Sequence, residues 1–247
     1  MKIVTACSKC LFEETSNNPL PEICLADYDE ELCCYQCSKG HITYTRIQNN
    51  RYELLFDSSI IAYFDDYYRE SVLNASSSLE SFYEYMIKAM LFIFKKMSME
   101  QIDDFYKKFK SRSECREGVF QALSKVYLDK EFFLTNKIKK LRNDTIHNGY
   151  FPKNKETLKY LKEIYTIIYD CFGMLMKNVE TLEYVEFGFA LQKKILDKHS
   201  QLYANMYIPT VLSDSTITGD FEKNIDGLKK RSSYMYNKKF DDKVGVE

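Results

Sequence analysis

The chain has 247 residues, enough for one large domain or for a small module joined to a medium one. Aliphatic, aromatic and sulfur residues make up 45% of it and charged residues 29%, proportions typical of chains that bury a core, which excludes global disorder. Its 35 Lys and Arg residues balance 36 Asp and Glu residues, which excludes binding to nucleic acid through overall charge. Any such binding requires a local patch of positive charge.

The first 49 residues are predicted to form a small β module. Short alternating stretches such as 42–46 occur there, and apolar residues at helical spacing do not. The chain enters its cysteines directly, without the apolar stretch of a secretory signal, so a cytoplasmic protein is expected. Six of the eight cysteines fall within the first 37 residues, and in a reducing compartment such crowding favours a metal site over disulfides.

Two Cys-x-x-Cys pairs lie in this module, Cys7 with Cys10 and Cys34 with Cys37, separated by the 23 residues 11–33. This spacing is close to that of a zinc ribbon. Two residues between thiolates let a tight turn aim both sulfurs at an ion about 2.3 Å away, and two such turns complete a tetrahedron. We therefore predict a structural zinc ion with no open position for a catalytic water.

More than one residue is a candidate for the fourth zinc ligand. Cys33 is adjacent to Cys34 and competes for the same position, and His41 follows the second pair after a glycine but ranks below Cys34. Cys24 is interpreted as an ordinary residue on a strand between the pairs. The alternative to a zinc site is a set of reduced, metal-free thiols.

From residue 51 onward, apolar residues recur at intervals of three and four, which predicts a mainly helical region. Breaks are predicted at the serine cluster 74–78, near 97–98, at 112–113 and between 129 and 136. A long helix with one apolar stripe is predicted to begin near Asn154, and a last helix to run from about Leu182 to Ala204. The longest nearly apolar run, 85–94, is about half of the roughly 20 residues that span a bilayer, so no membrane partner is expected.

The predicted fold class is therefore mainly α, an antiparallel helical bundle preceded by a small β zinc ribbon. The zinc ribbon covers residues 1–49 and the bundle covers 50–205. Residues 206–247 form a C-terminal extension that is predicted to be partly disordered, because it has few large apolar residues.

A short helix is predicted to begin at Thr135 or Asn136 and to end at His147. Asn148 and Gly149 follow the histidine directly, and both tolerate the left-handed backbone that ends helices. The negative end of the helix dipole favours a protonated imidazole there, which makes His147 a candidate proton donor.

Lys139, Asn143 and His147 share one face of this helix at about 100° per residue. Arg142 lies beside Asn143, and its guanidinium can turn toward the same groove. Arginine binds phosphate oxygens with a planar fork, and histidine can move protons on a ribose hydroxyl or a leaving oxygen. The combination is suited to cleavage of RNA without a metal ion.

Arg142, Asn143 and His147 together resemble the Arg-x(4 to 6)-His signature of HEPN domains, in the form in which a polar residue follows the arginine. The His-x-Gly-Tyr-like end, the proline at 152 and the long helix that follows are similar to that family as well, and the resemblance covers about residues 51–200. The helix around 79–85 looks like the partner helix of abortive-infection relatives. The resemblance implies a HEPN-like bundle whose paired Arg and His residues cleave RNA to a cyclic phosphate and a 5′ hydroxyl.

Because the chain carries one such motif, the resemblance implies a homodimer in which two motifs meet in one cleft. By that resemblance His147 acts as general acid or base, Arg142 holds the scissile phosphate, and Asn143 orients the imidazole or the phosphate. Glu80 or Glu84 is implied as an auxiliary residue that tunes the pair. No cofactor is implied for catalysis.

Positive charge near the motif is predicted to bind RNA through Lys137, Lys139 and Lys140. By analogy, the setting is phage defence or a toxin, with an antitoxin or a phage-derived trigger as partner. One alternative is a non-catalytic HEPN-like module that binds RNA or protein, and another is a zinc-ribbon adaptor whose bundle only dimerises. In a purely structural interpretation, His147 caps its helix and Arg142 pairs with a nearby carboxylate.

Overall fold

The chain divides into two compact units in the computed structural model, which describes residues 2–7, 9–10, 23–27, 33–198, 204–213 and 219–230. The first unit comprises Met1–Asn49 with Gln192–Ile208, and the second comprises Asn50–Leu191 with Pro209–Glu247. Helices dominate these described ranges, and the strands before residue 50 form small sheets. The prediction of a mainly α chain with a small β module at its start is confirmed.

The described residues of the first unit form two small sheets. In one sheet, residues 2–6 pair antiparallel with residues 23–27, so that Lys2 lies opposite Asp27 and Ala6 lies opposite Ile23. In the other sheet, the central strand, residues 42–47, pairs antiparallel with residues 33–36 and in parallel with residues 204–206. The strands are β1 (Lys2–Ala6), β2 (Ile23–Asp27), β3 (Cys33–Gln36), β4 (Ile42–Ile47) and β5 (Ala204–Met206).

Strand β5 comes from far along the chain and corrects the predicted end of the last helix. That helix was expected to reach about Ala204, but it ends at Lys198, and residues 204–206 pair with β4 instead. Asn49 and Ile208, 159 residues apart, exchange two hydrogen bonds of 2.8 Å directly after this pairing. The sequence near β5 does not predict this pairing, since the pairing depends on closure of a long stretch of chain rather than on neighbouring residues.

Apart from these differences and one break described below, the helix boundaries lie close to where the sequence predicts them. Ser98, for example, accepts a hydrogen bond from the amide of Gln101 and starts a helix at the predicted break. In the described ranges, none of the helices has a stretch long and apolar enough to cross a bilayer. The helices are α1 (Arg51–Phe64), α2 (Tyr68–Ile93), α3 (Met99–Lys107), α4 (Ser113–Leu128), α5 (Asn136–His147), α6 (Asn154–Asn178), α7 (Thr181–Lys198) and α8 (221–230).

One predicted break is wrong, because the serine cluster 74–78 lies inside α2. Ser76 donates to the carbonyl of Val72 at 2.7 Å, and Ser78 donates to the carbonyl of Tyr52 on α1 at 2.7 Å. Each hydroxyl therefore finds a backbone acceptor without interrupting the helix, an outcome that serine spacing alone does not reveal.

The core of the second unit centres on α2 and α6. The apolar stripe predicted for α6 is buried, and Tyr160 at its centre shares a hydrogen bond of 2.7 Å with Ser76 of α2. Phe82 and Phe120 pack edge to face between α2 and α4. The buried stripe of α6 includes Tyr160, Leu161, Ile164, Tyr165 and Ile168.

Part of the C-terminal extension, which was predicted to be partly disordered, packs into the second unit. The amide of Val211 donates to the Asp57 carboxylate of α1 at 2.9 Å, and the hydroxyl of Thr210 donates to Glu53 at 3.3 Å. Residues 214–218 and 231–247 lie outside the described residues. Buried side chains of α8 complete this part of the core at Phe221, Ile225 and Leu228.

Candidate metal centre and candidate active site

Four metal-ligating side chains converge in the first unit: Cys7, Cys10, Cys37 and His41. Their ligand atoms all lie within 4.8 Å of one another. The three cysteines are buried and the histidine is half-buried. Cys7 directly follows β1, whereas Cys37 and His41 lie in the connection between β3 and β4, so the sheets bring the two halves of the group together.

The separations within this group fit one tetrahedral ion. The sulfur of Cys10 lies 3.9 Å from the sulfur of Cys37 and 3.5 Å from Nδ1 of His41. The sulfur of Cys7 lies 3.8 Å from the same nitrogen. Two sulfurs bound at about 2.3 Å to one zinc ion are about 3.8 Å apart at the tetrahedral angle. These residues could therefore hold a metal such as zinc.

A tight turn presents the second half of the group. The amide of Cys37 donates to the carbonyl of His41 at 3.1 Å, and the amide of Gly40 donates to the carbonyl of Cys37 at 2.9 Å. Gly40 has a φ of 82°, a left-handed conformation that glycine adopts at little cost. The turn therefore uses Cys-x-x-x-His spacing in place of a second Cys-x-x-Cys pair.

The fourth donor is His41 and not Cys34, which corrects the first choice made from the sequence. Along β3 the side chains alternate, so that Cys33 is buried and Cys34 is exposed. Cys34 thus points away from the buried face of β3, and it is not part of the donor group that the described residues form. Cys24, expected on a strand between the pairs, lies in β2.

Close packing of the thiols shifts their acidity in opposite directions. Burial raises the pKa of Cys10 to about 12, and the adjacent Cys7 and Cys37 add to the increase. Burial also acts to raise the pKa of Cys7, but hydrogen bonds from the Cys10 amide, Thr43 and His41 together outweigh it and lower the value to about 6. Three thiolates at this spacing repel one another, and a divalent cation between them removes that cost.

In the second unit, Arg142 of α5 reaches a carboxylate on α2. Its Nη2 donates to Oε1 of Glu80 at 2.6 Å and lies 3.4 Å from the hydroxyl of Ser113. Arg116 of α4 donates to the other oxygen of Glu80 at 2.6 Å, and the Ser113 hydroxyl donates to Glu80 at 2.6 Å. Glu80 therefore joins three helices.

This cluster is half-buried and unevenly charged. The side chains of Arg142, Glu80 and Arg116 are 23%, 25% and 18% exposed. One carboxylate serves two guanidinium groups, so its charge does not neutralise both. The remaining positive charge at a partly exposed site favours an anion such as a phosphate.

The cluster also decides between the two predicted auxiliary residues. Glu84 lies one turn further along α2 and accepts hydrogen bonds from Lys88 at 2.6 Å and from the Tyr106 hydroxyl at 3.0 Å. Burial, with a contribution from Glu84, raises the pKa of Tyr106 to about 12. Glu80, and not Glu84, is thus the residue in contact with Arg142.

His147 ends α5 and is exposed, as is Asn143 one turn before it. Oδ1 of Asn143 lies 3.5 Å from Nη1 of Arg142. Five residues along an α-helix correspond to a rotation of about 140°, so Arg142 and His147 point to different sides of α5. Among the described residues, the structure brings Arg142 and Asn143 together but places no hydrogen-bond partner on the His147 ring.

The end of α5 agrees with the sequence prediction. The amide of Asn148 donates to the carbonyl of Asp144 at 3.0 Å, and the amide of Tyr150 donates to the same carbonyl at 3.1 Å. Gly149 adopts a φ of 69°, the left-handed conformation expected for the residue after a helix end. The last turn therefore presents His147 at the surface.

The three predicted RNA-binding lysines lie on different sides of α5. Lys139 is paired with Glu117 of α4 at 2.9 Å, and its ammonium lies 5.0 Å from the centre of the Phe133 ring. Lys137 and Lys140 are exposed and line a groove between α5 and α6. The structure thus separates one lysine that holds two helices together from two that face solvent.

Sequence reasoning missed Ser113 and Arg116, which contact the same carboxylate as Arg142. They open a different helix, and their local pattern is that of an ordinary first helical turn. Only the packing of α4 against α2 reveals them.

Comparisons with known proteins return no relative of this chain. No protein-family model matches it, and neither a curated protein nor a solved structure does. The resemblance to HEPN domains therefore depends on the residues of the motif and on the helical pattern around it.

Proposed function

We propose that the second unit is a metal-independent endoribonuclease of the HEPN type that acts as a homodimer. The observation that carries this proposal is the contrast between two side chains of one short helix. Glu80 and Ser113 hold the Arg142 guanidinium in a defined place, while His147 is exposed at the helix end. A fixed guanidinium is suited to binding phosphate, and an exposed imidazole is suited to exchanging protons with a substrate.

In the proposed reaction, the ribose 2′-hydroxyl attacks the adjacent phosphorus and the bond to the 5′ oxygen breaks. The imidazole of His147 accepts the proton of the 2′-hydroxyl and, as imidazolium, donates a proton to the leaving 5′ oxygen, which yields a cyclic phosphate and a 5′ hydroxyl. In the homodimer, one protomer supplies this His147 and the other supplies Arg142. Arg142 stabilises the charge on the phosphate, and Asn143 orients it or the imidazole.

The directions of the two side chains support the need for a second protomer. Arg142 points toward α2, whereas His147 lies on another side of α5, and this divergence favours an arrangement in which the two groups acting on one phosphate come from different protomers. Phe151, close to His147 in the chain, has a side chain that is 75% exposed, and an exposed aromatic residue beside a polar site is typical of interfaces. In the proposed dimer, Arg142 acts together with the partner's His147.

The test compares purified full-length protein with its His147→Ala variant on single-stranded RNA, without added divalent cations. We expect the wild type to produce fragments with cyclic phosphate ends and the variant to produce none. His199→Ala, at a histidine for which the sequence indicates no function, is the control. In cells, expression of the wild type should slow growth and degrade RNA, and equal harmlessness of both proteins on every RNA tested would sink the nuclease proposal.

A second function, favoured by the ion pair itself, is a non-catalytic module that binds RNA or protein. In that case the Arg142 guanidinium serves to hold α5 against α2 and is not free to bind a phosphate. The two functions predict different results for His147→Ala, which would leave binding, RNA integrity and growth unchanged in a non-catalytic module.

For the first unit, we propose that Cys7, Cys10, Cys37 and His41 hold a structural zinc ion. Four protein donors leave no position for a reactive water. The described sheets of this unit are small, and in a small module a bound ion would contribute directly to folding. The unit would then serve as an adaptor of the nuclease.

The biological setting that fits an RNA-cleaving dimer of this kind is phage defence or a toxin. By analogy with HEPN proteins, its activity would be restrained by an antitoxin or released by a phage-derived trigger. Growth assays with and without phage challenge separate these settings.

A further inference from the structure

A groove of about 660 Å³ lies between α5 and α6 in the second unit. Its volume is in the range of ligand sites in proteins. Side chains from both helices form its walls. Tyr150, which follows the end of α5, contributes to the groove as well. The lysines of the groove are Lys137, Lys140, Lys155, Lys159 and Lys162.

Most of these ammonium groups are available to a ligand. Lys162 forms an ion pair with Glu222 at 2.5 Å. The other four lysines of the groove are exposed, and within the part of the chain that the structure describes they form no side-chain hydrogen bond or ion pair. Four unpaired lysine ammonium groups on two adjacent helices thus line one concave surface in this described part of the chain.

The carboxylates of the groove do not cancel this charge. Lys162 is paired with Glu222, and the other four ammonium groups face three carboxylates, those of Asp144, Glu156 and Glu163. Glu163 accepts two hydrogen bonds from Thr135, at 2.5 Å and 3.0 Å, and Glu156 accepts one from the amide of Lys153 at 2.9 Å. The groove therefore has a local excess of positive charge, although the whole chain is nearly neutral.

Tyr150 adds an aromatic surface to the groove. Its hydroxyl donates to Glu156 at 3.0 Å, which fixes the ring, and its side chain is 37% exposed. Proteins that bind single-stranded nucleic acid combine a basic groove, which follows the phosphates, with exposed rings on which bases stack. Duplexes do not offer unpaired bases for such stacking.

We propose that the groove between α5 and α6 binds single-stranded RNA, with phosphates along Lys137, Lys140, Lys155 and Lys159 and an unpaired base on Tyr150. This inference rests on the proposed function, because it takes RNA as the ligand. It adds to that function the path that the RNA follows along the protein surface. Lys140 and His147 lie seven residues apart, about two helical turns, and so share a face of α5. A strand in the groove thus leads toward the exposed histidine.

The test uses full-length protein with His147→Ala, so that RNA is not cut, and a fluorescent oligouridylate as the probe. Lys140→Glu combined with Lys159→Glu should weaken binding at least tenfold and lower the salt dependence by about 1.4 in log–log slope, because two phosphate contacts are lost. Lys108→Glu combined with Lys110→Glu makes the same change of charge at exposed positions outside the groove and should change affinity less than about twofold. Circular dichroism and thermal unfolding establish that each variant is folded.

A second pair of variants tests the aromatic contact. Tyr150→Ala should weaken oligouridylate binding about tenfold, whereas Tyr150→Phe, which keeps the ring, should retain most of it. A duplex RNA of equal length should bind more weakly than the single strand to the parent protein.

The outcomes separate this inference from the nuclease proposal. Equal affinity of the groove and control variants, equal affinity for duplex and single strand, or no binding by the parent would each overturn the groove as the path of the strand. Loss of binding in the groove variants supports it, even if the wild type cuts no RNA. In that last case the nuclease proposal fails while the groove stands as an RNA-binding site.

Discussion

The Arg142 guanidinium donates a hydrogen bond of 2.6 Å to the Glu80 carboxylate, and this ion pair connects α5 to α2. Glu80 also accepts a hydrogen bond from Arg116, so one carboxylate holds two guanidinium groups in place. The position of Arg142 and the packing of these helices are consequently coupled. Substitutions in this cluster are expected to affect stability, and on the nuclease proposal they affect activity as well.

Glu80→Gln should lower the free energy of unfolding by about 1–3 kcal/mol, because it leaves two half-buried guanidinium groups facing each other without an anion. Glu84→Gln is the matched control on the same helix. It mainly weakens an i,i+4 pair with Lys88, and we expect a loss of less than about 1 kcal/mol. Urea denaturation of both variants measures the difference, and equal losses would contradict a shared role for Glu80.

Arg142→Lys should reduce RNA cleavage by about 100-fold while the protein stays folded. A lysine keeps the positive charge near Glu80 but lacks the planar fork that binds two phosphate oxygens at once. Cleavage rates of a fluorogenic single-stranded RNA, measured beside unfolding curves, check this expectation. Unchanged cleavage would show that the arginine serves the fold alone.

Mixing two inactive variants should restore activity if the site is shared between protomers. Arg142→Ala and His147→Ala each lack one group, but a mixed dimer contains one intact arginine and one intact histidine. We expect cleavage to reappear when differently tagged variants exchange subunits. If mixed dimers are recovered through both tags and remain inactive, the shared site is ruled out.

Purified protein should contain about one zinc ion per chain, and Cys37→Ser should lose it. Cys34→Ser is the control, because this cysteine is exposed on β3 and lies outside the donor group. His41→Ala should weaken zinc retention against a chelator, since it removes the fourth donor. Elemental analysis of the variants measures these outcomes, and loss of zinc from Cys34→Ser with retention in His41→Ala would reverse the assignment.

Phe221→Ala should destabilise the protein by about 3–5 kcal/mol, because this residue of the C-terminal extension is buried in the core. Phe189→Ala removes the same side chain where it is 68% exposed, and we expect a change within about 0.5 kcal/mol. Denaturant unfolding distinguishes the two. Similar small changes for both would indicate that α8 does not contribute to the stability of the unit.

The sequence by itself determined the features that depend on neighbouring residues. The end of α5 at His147 follows from Asn148 and Gly149, whose backbone preferences act within one turn. The start of α3 after Ser98 and the buried stripe of α6 follow equally from capping and from helical periodicity. The crowding of cysteines before residue 38 was sufficient to predict a metal-ligating group, although not its fourth member.

Only the tertiary structure decided which distant residues meet. His41 replaces Cys34 because extended backbone in β3 turns Cys34 outward. Glu80 rather than Glu84 meets Arg142, and β5 closes a sheet begun near residue 33, because the packing of helices and the pairing of strands join segments far apart in the chain. Local propensities act over a few residues, whereas these contacts depend on how the chain closes on itself, and that information is spread over the whole fold.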